Sequence, residues 1–121
     1  MDLVFRIPQI NAEHPWRYYV LDWKSDVLKN YDRDSLETCM EQRHYNLQAR
    51  IYSHALDKYL KGIVGEAYIP QQNLGGAVYL FLRGFNEITL ETPCLFRGAS
   101  PEEDAAYTKD LITKMAGSSV L

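Results

Sequence analysis

Apolar and polar positions alternate from the start of the chain. Asp2 to Ile7 (DLVFRI) and Arg17 to Lys24 (RYYVLDWK) are rich in β-branched and aromatic residues and predict two strands. Between them, Pro8 to Pro15 (PQINAEHP) is polar and bracketed by prolines, so the pair reads as a hairpin with a connection longer than the tight two-residue kind. Ser25 to Asp34 is polar and irregular. From Ser35 the period changes. Leu36, Met40, Leu47, Ile51, Ala55, Leu56, Tyr59 and Leu60 keep roughly helical spacing and predict one long helix, opened by Asp34 and Glu37 as a cap pair and stopped by Gly62. Gly75 and Gly76 precede the continuous apolar run Ala77 to Leu82 (AVYLFL), the pattern of a strand buried on both faces. Arg83 to Gly98 is expected to be loop. Ser100, followed by Glu102, Glu103 and Asp104, is expected to open a last helix that frays near Gly117. The order β-β-α-β-α predicts an α/β fold, a mixed sheet flanked by helices, with no repeat or internal linker dividing residues 1–121.

Composition narrows the partners. With 121 residues, 46% of them hydrophobic and 24% charged, the chain is expected to bury a single core. Its nine tyrosines are many for this size, and aromatic packing is the plainest use for them. The net charge of −3 is not that of a protein holding DNA by charge alone, so either the chain does not meet nucleic acid or something else delivers the substrate. Cys39 and Cys94 lie far apart with no CxxC, which argues against a zinc or iron–sulfur site and points to two reduced thiols in the cytoplasm. No apolar run approaches the length of a membrane span, so no membrane partner is expected.

Hairpin register brings chemistry into view. If Ile7 pairs near Arg17, antiparallel pairing sets Asp2 opposite Asp22 with both side chains on one face. Directly opposed β-carbons are about 4.5–5.5 Å apart, and like charges there are destabilising. A divalent cation between the carboxylates removes that penalty, and hard oxygen ligands suit magnesium. Lys24, two residues beyond Asp22, points to the same face. Two carboxylates and a lysine at a strand end are what metal-assisted phosphodiester hydrolysis requires. On spacing alone, exposed strand-end acids beside a solvated lysine are the more ordinary outcome, because DxK is a common triplet.

On the long helix, Tyr45, Gln48 and Tyr52 fall at i, i+3 and i+7 and form a polar-aromatic stripe. Such a stripe either packs on the sheet or, in a functional reading, places Gln48 and Tyr52 beside a phosphate as hydrogen-bond donors. His44 and His54 fall out of line along a helix and cannot share a metal, and His14 sits in a turn beside a proline.

Asp2, then Asp22-Trp23-Lys24, then Gln48-x-x-x-Tyr52 resemble the ordered motifs of the PD-(D/E)xK nucleases. More narrowly, DLVFR, RYYVLDWKSD, RHYNLQARIYSHALDKYL and GGAVYLFLRG resemble successive segments of the C-terminal nuclease domain of RecB-type (exodeoxyribonuclease V beta) helicase–nucleases, over roughly residues 1 to 84. The resemblance implies a restriction-endonuclease-like fold and Mg2+-dependent cleavage of DNA, with Mn2+ able to substitute, in double-strand-break repair and recombination. It implies that Asp2, Asp22 and the backbone carbonyl of Trp23 bind the metal, that Lys24 is the catalytic lysine, and that Gln48 and Tyr52 contribute to the phosphate site. Trp23 replaces the tyrosine or phenylalanine more usual at its place, with its side chain on the face away from Asp22.

The family's helix before the first strand, which supplies another metal-site residue, has no counterpart after Met1, nor does the chain hold a GxxxxGK[ST] phosphate loop. The expectation is therefore an N-terminally truncated C-terminal fragment whose ATP motor lies upstream. Its partners would be DNA and RecC- and RecD-type subunits, and alone it would self-associate and cleave weakly. The competing expectation is a catalytically silent subunit-docking module of the same complex.

Overall fold

The computed structural model describes residues 2–10 and 14–98. β1 (Leu3–Pro8) and β2 (Trp16–Lys24) pair antiparallel, and Ile7 stands opposite Arg17. β2 then runs parallel to β3 (Leu74–Phe81), and β3 pairs antiparallel with β4 (Cys94–Arg97), giving the sheet order β1-β2-β3-β4. The parallel pair needs a long crossover, and α1 (Arg33–Gln42) and α2 (Tyr45–Val64) supply it. A short α3 (Pro70–Asn73), with proline in its first turn, leads into β3.

The single long helix expected from Ser35 is two helices. α1 starts earlier, at Arg33, and its N-cap is Asp32, whose carboxylate accepts the Ser35 N–H at 2.8 Å. Glu37, expected in the cap pair, instead forms an ion pair with Arg97 of β4. His44 then breaks the helix with a left-handed backbone (φ 58°). The physical reason lies in the buried stripes. α1 buries Leu36, Cys39 and Met40, and α2 buries Ala49, Ser53, Leu56, Asp57 and Leu60. Continued straight at 3.6 residues per turn, the two stripes would face directions roughly 110° apart, so one unbroken helix could not bury both. Ile51 and Tyr59, which share the helical spacing, are exposed. α2 also runs past Gly62 and ends at Gly65, whose φ of 74° suits glycine.

Alternation along the strands puts Val20, Asp22, Ala77, Tyr79, Phe81 and Leu95 on the face that α1 and α2 cover. Leu36, Cys39 and Met40 pack there with Tyr79, Phe81 and Leu95, while Leu56 and Leu60 pack with Tyr18, Val20 and Leu74. Polar groups are built into this core, Asp57 among them. Asp57 is buried, accepts the Tyr68 hydroxyl at 2.7 Å and pairs with Lys61 at 2.9 Å. The other face carries Leu3, Ile7, Trp23 and Phe96, all exposed. β3 is accordingly fully buried on one face only, and Val78 and Leu80 on the other are half-buried, not enclosed as the continuous apolar run suggests.

β4 lies inside the stretch expected to be loop. Its four residues pair with β3 from Ala77↔Arg97 to Leu80↔Cys94. Gly76 (φ 120°) enables this close approach, since a β-carbon there would lie 2.1 Å from the Arg97 carbonyl oxygen. The helix expected after Ser100 lies outside the described residues.

Candidate functional site

The site forms where β1 begins and β2 and β3 end. The Asp2 N–H donates to the Leu21 carbonyl at 3.1 Å, one residue before the first paired position Leu3↔Leu21, which brings Asp2 beside the end of β2 that carries Asp22. The Asp2 carboxylate accepts the Trp23 backbone N–H at 2.8 Å. That hydrogen bond holds the Asp2 carboxyl below the ordinary aspartate range. Asp2 is exposed and Asp22 buried, so the acid pair has one wet and one enclosed member.

Lys24 comes back to Asp22, with Nζ 3.4 Å from Oδ1. Its ammonium also lies 4.1 Å from the centre of the Tyr45 ring and 5.6 Å from that of Tyr79. Asp22 pairs across β2 and β3 with Tyr79, which is wholly buried. Burial first, then the Asp22 charge, push the Tyr79 hydroxyl well above the ordinary phenol value. That hydroxyl shares its proton between Gln48 Oε1 at 3.1 Å and the Tyr45 carbonyl at 3.2 Å. Tyr52 hydrogen-bonds with both Asp22 and Gln48. Burial, followed by the Asp22 charge, pushes its hydroxyl up to about 12. A continuous hydrogen-bonded line therefore runs Tyr79–Gln48–Tyr52–Asp22.

The structure thus gathers Asp2, Asp22, Lys24, Gln48 and Tyr52 into one cluster, and it leaves the Trp23 side chain half-exposed on the other side of the strand. The tyrosine stripe packs on the sheet, and its Tyr52 also meets Asp22. Sequence reasoning passed over Tyr79, read only as a core position, and Asp26, read only as part of an irregular polar stretch. Alternation from Asp22 could not have found Tyr79, because the parallel register was not legible. Asp26 carried no periodic signal.

As a donor set, two carboxylates fit a magnesium ion, which commonly takes one or two carboxylates and completes its shell with water and substrate phosphates. They do not fit a soft metal, and no group of three or more His, Cys, Asp or Glu able to hold a metal occurs among the described residues. Cys39 is buried and Cys94 exposed, both free. Among the described residues no helix is long and apolar enough to cross a membrane.

An open four-stranded mixed sheet, with helices on one face and acids at the strand ends, defines a restriction-endonuclease-like α/β fold. No protein-family model matches the chain. Individual proteins do. The chain is 36% identical over 91 residues to RecBCD enzyme subunit RecB of Escherichia coli K12, covering 72% of this chain. It is 39% identical over 90 residues to the Haemophilus influenzae protein of that name, covering 71%, and 34% identical over 88 residues to that of Mycobacterium tuberculosis, covering 69%. The chain carries a RecB-related region, and it spans about 7% of the length of these relatives.

Proposed function

We propose that the chain hydrolyses DNA phosphodiester bonds with Mg2+ as the nuclease part of an ATP-dependent helicase–nuclease acting in DNA repair and recombination. The observation that carries this reading is the acid pair Asp2 and Asp22 with Lys24 drawn onto Asp22, at one strand end of a RecB-related region. In this proposal Asp2, Asp22 and the Trp23 carbonyl hold the cation, with Mn2+ able to replace it. When bound, the cation polarises the phosphate and lowers the pKa of a coordinated water.

The protein's own groups do the rest. Lys24 steadies the attacking water or the charge that develops on the phosphate. Tyr52, linked to Asp22 and Gln48, keeps the buried carboxylate in place, and with Gln48 it offers hydrogen-bonding groups to the phosphate. A chain of net charge −3 gathers little DNA by itself. In this proposal a motor and RecC- and RecD-type subunits deliver the strand.

The test is Lys24→Ala in the complete helicase–nuclease. Cleavage should fall by a factor of at least about 100, the usual scale for losing one such group, while ATP-driven unwinding stays near wild type. Cleavage at the wild-type rate would remove Lys24 from the chemistry and return the docking module as the better reading.

A further inference from the structure

We propose that Tyr45 is a positioning residue for Lys24: its ring is the seat that fixes the ammonium against Asp22, and Asp26 holds that seat in place. The inference deepens the nuclease reading and rests on it for the role of Lys24.

An ion pair at 3.4 Å is too loose to fix a lysine by itself, because the side chain has four rotatable carbon–carbon bonds and gives up much rotamer freedom when ordered. A second contact is present. The ammonium lies 4.1 Å from the Tyr45 ring centre, well inside the range at which a cation is drawn to the negative face of an aromatic ring. Burial strengthens this attraction, and only 14% of the Lys24 side chain is exposed. Carboxylate and ring together define where the charge stands.

Tyr45 is itself held at three points. Tyr45 stacks on the buried Tyr79, with centroids 5.9 Å apart and planes 19° from parallel. Its hydroxyl donates to the Asp26 carboxylate, 3.0 Å from Oδ2 and 3.3 Å from Oδ1. Its backbone carbonyl lies 3.2 Å from the Tyr79 hydroxyl. Asp26 is anchored in turn. The Tyr31 hydroxyl donates to its carbonyl at 2.8 Å, and Arg43 pairs with its carboxylate at 3.4 Å. Asp26 lies two residues beyond Lys24, so the same stretch of chain carries both the lysine and the group that aims its seat. The break at His44 starts α2 at Tyr45 and so brings that ring to the end of β2.

This arrangement exceeds what packing needs. A ring filling space against Tyr79 and the core could be phenylalanine, whereas the charge-assisted hydrogen bond to Asp26 also fixes how the ring is turned. Tyr45 touches no reacting atom in this proposal and acts through Lys24 alone.

The test pairs NMR with kinetics. Protons above an aromatic ring are shifted upfield, so the Lys24 ε-methylene resonances, identified by their loss in Lys24→Ala, should lie upfield of those of the other lysines. Tyr45→Phe should keep that shift, and Tyr45→Leu should cut it sharply, to what the Tyr79 ring 5.6 Å away contributes. In the complete enzyme, Tyr45→Leu should lower kcat for DNA cleavage roughly tenfold with KM changed by no more than about twofold, the size of one lost cation–π contact in the transition state. Tyr45→Phe and Asp26→Ala each cut the same tether, so each should cost less than Tyr45→Leu, and the double variant should cost no more than either alone.

Lys24 resonances unchanged by Tyr45→Leu, or a folded Tyr45→Leu enzyme at full rate, would overturn the seat. If Tyr45→Leu does not fold, the Tyr45→Phe and Asp26→Ala pair decides: equal, non-additive losses support the seat, and additive or absent losses overturn it. A Lys24→Ala enzyme that cleaves normally overturns the nuclease reading instead, and the resonances alone then decide the seat.

Discussion

Asp22 and Lys24, two residues apart on β2, bring their charges to 3.4 Å on the helix-covered face of the sheet. Asp22 therefore has a cation to one side and the like charge of Asp2 across the hairpin. The two effects oppose each other. Cross-strand repulsion is worth up to about 1 kcal/mol, and asparagine keeps an oxygen for the Lys24 ammonium, whose charge still acts on Asp2. Asp22→Asn in metal-free buffer should consequently change stability by less than about 1 kcal/mol in urea unfolding. A loss of several kcal/mol would make Asp22 a structural residue of the core, not half of a metal-binding pair.

Magnesium binding should depend on both acids. With two carboxylates from the protein and the remainder of the shell from water, isothermal titration should give weak heats for Mg2+ and for Mn2+. Asp22→Ala should remove them, and Asp2→Ala should weaken them strongly. Unchanged heats in Asp22→Ala would place the cation elsewhere.

Gly76 should tolerate no side chain. Its φ is 120°, and an added β-carbon would lie 2.1 Å from the backbone oxygen of Arg97. Backbone, unlike a flexible side-chain tip, cannot step aside without breaking the Ala77↔Arg97 pairing. Gly76→Ala should cost at least about 2 kcal/mol from the strained backbone and the clash together. Hydrogen exchange should show β4 amides losing protection first. A variant as stable as wild type, with β4 still protected, would contradict the pairing of Ala77 with Arg97.

Asp32 should make the start of α1 sensitive to acid. Its carboxylate accepts hydrogen bonds from Ser35, side chain first and backbone second, and these hold its carboxyl below the ordinary value. A carboxyl depressed in the folded state contributes stability that is complete above its unfolded value of about 3.9 and is lost as pH falls through the lower folded value. Asp32→Ala should lower the thermal midpoint at pH 7, and Asp32→Ser, which keeps a capping oxygen, should recover most of it. The gap between wild type and Asp32→Ser should narrow below about pH 4. A gap independent of pH would mean that the charge plays no part in the cap.

Local pattern determined much of this protein. Alternating apolar residues in DLVFRI and RYYVLDWK predicted both strands, and a single pairing assumption then brought Asp2 to Asp22 with Lys24 on the same face. Those features survive because a strand's side chains alternate with period two whatever else the fold does, so a register, once chosen, decides every face. The Gln48 and Tyr52 positions were legible for the same reason, through helical spacing.

Tertiary structure decided the rest. Helical spacing across residues 36–60 continues through His44 without a visible stop, because periodicity records which residues are apolar and not which surface they must meet. Only packing on the sheet shows that α1 and α2 bury stripes too far apart for one axis. β4, with four residues beside a proline, has too little pattern of its own and exists because β3 offers it an edge. Tyr79 and Asp26 reach the site through a parallel register and a loop shape, both set by contacts far apart along the chain. Asp26 in particular meets Tyr45 across nineteen residues, a closeness that spacing could not foretell because it exists only once α2 lies on the sheet.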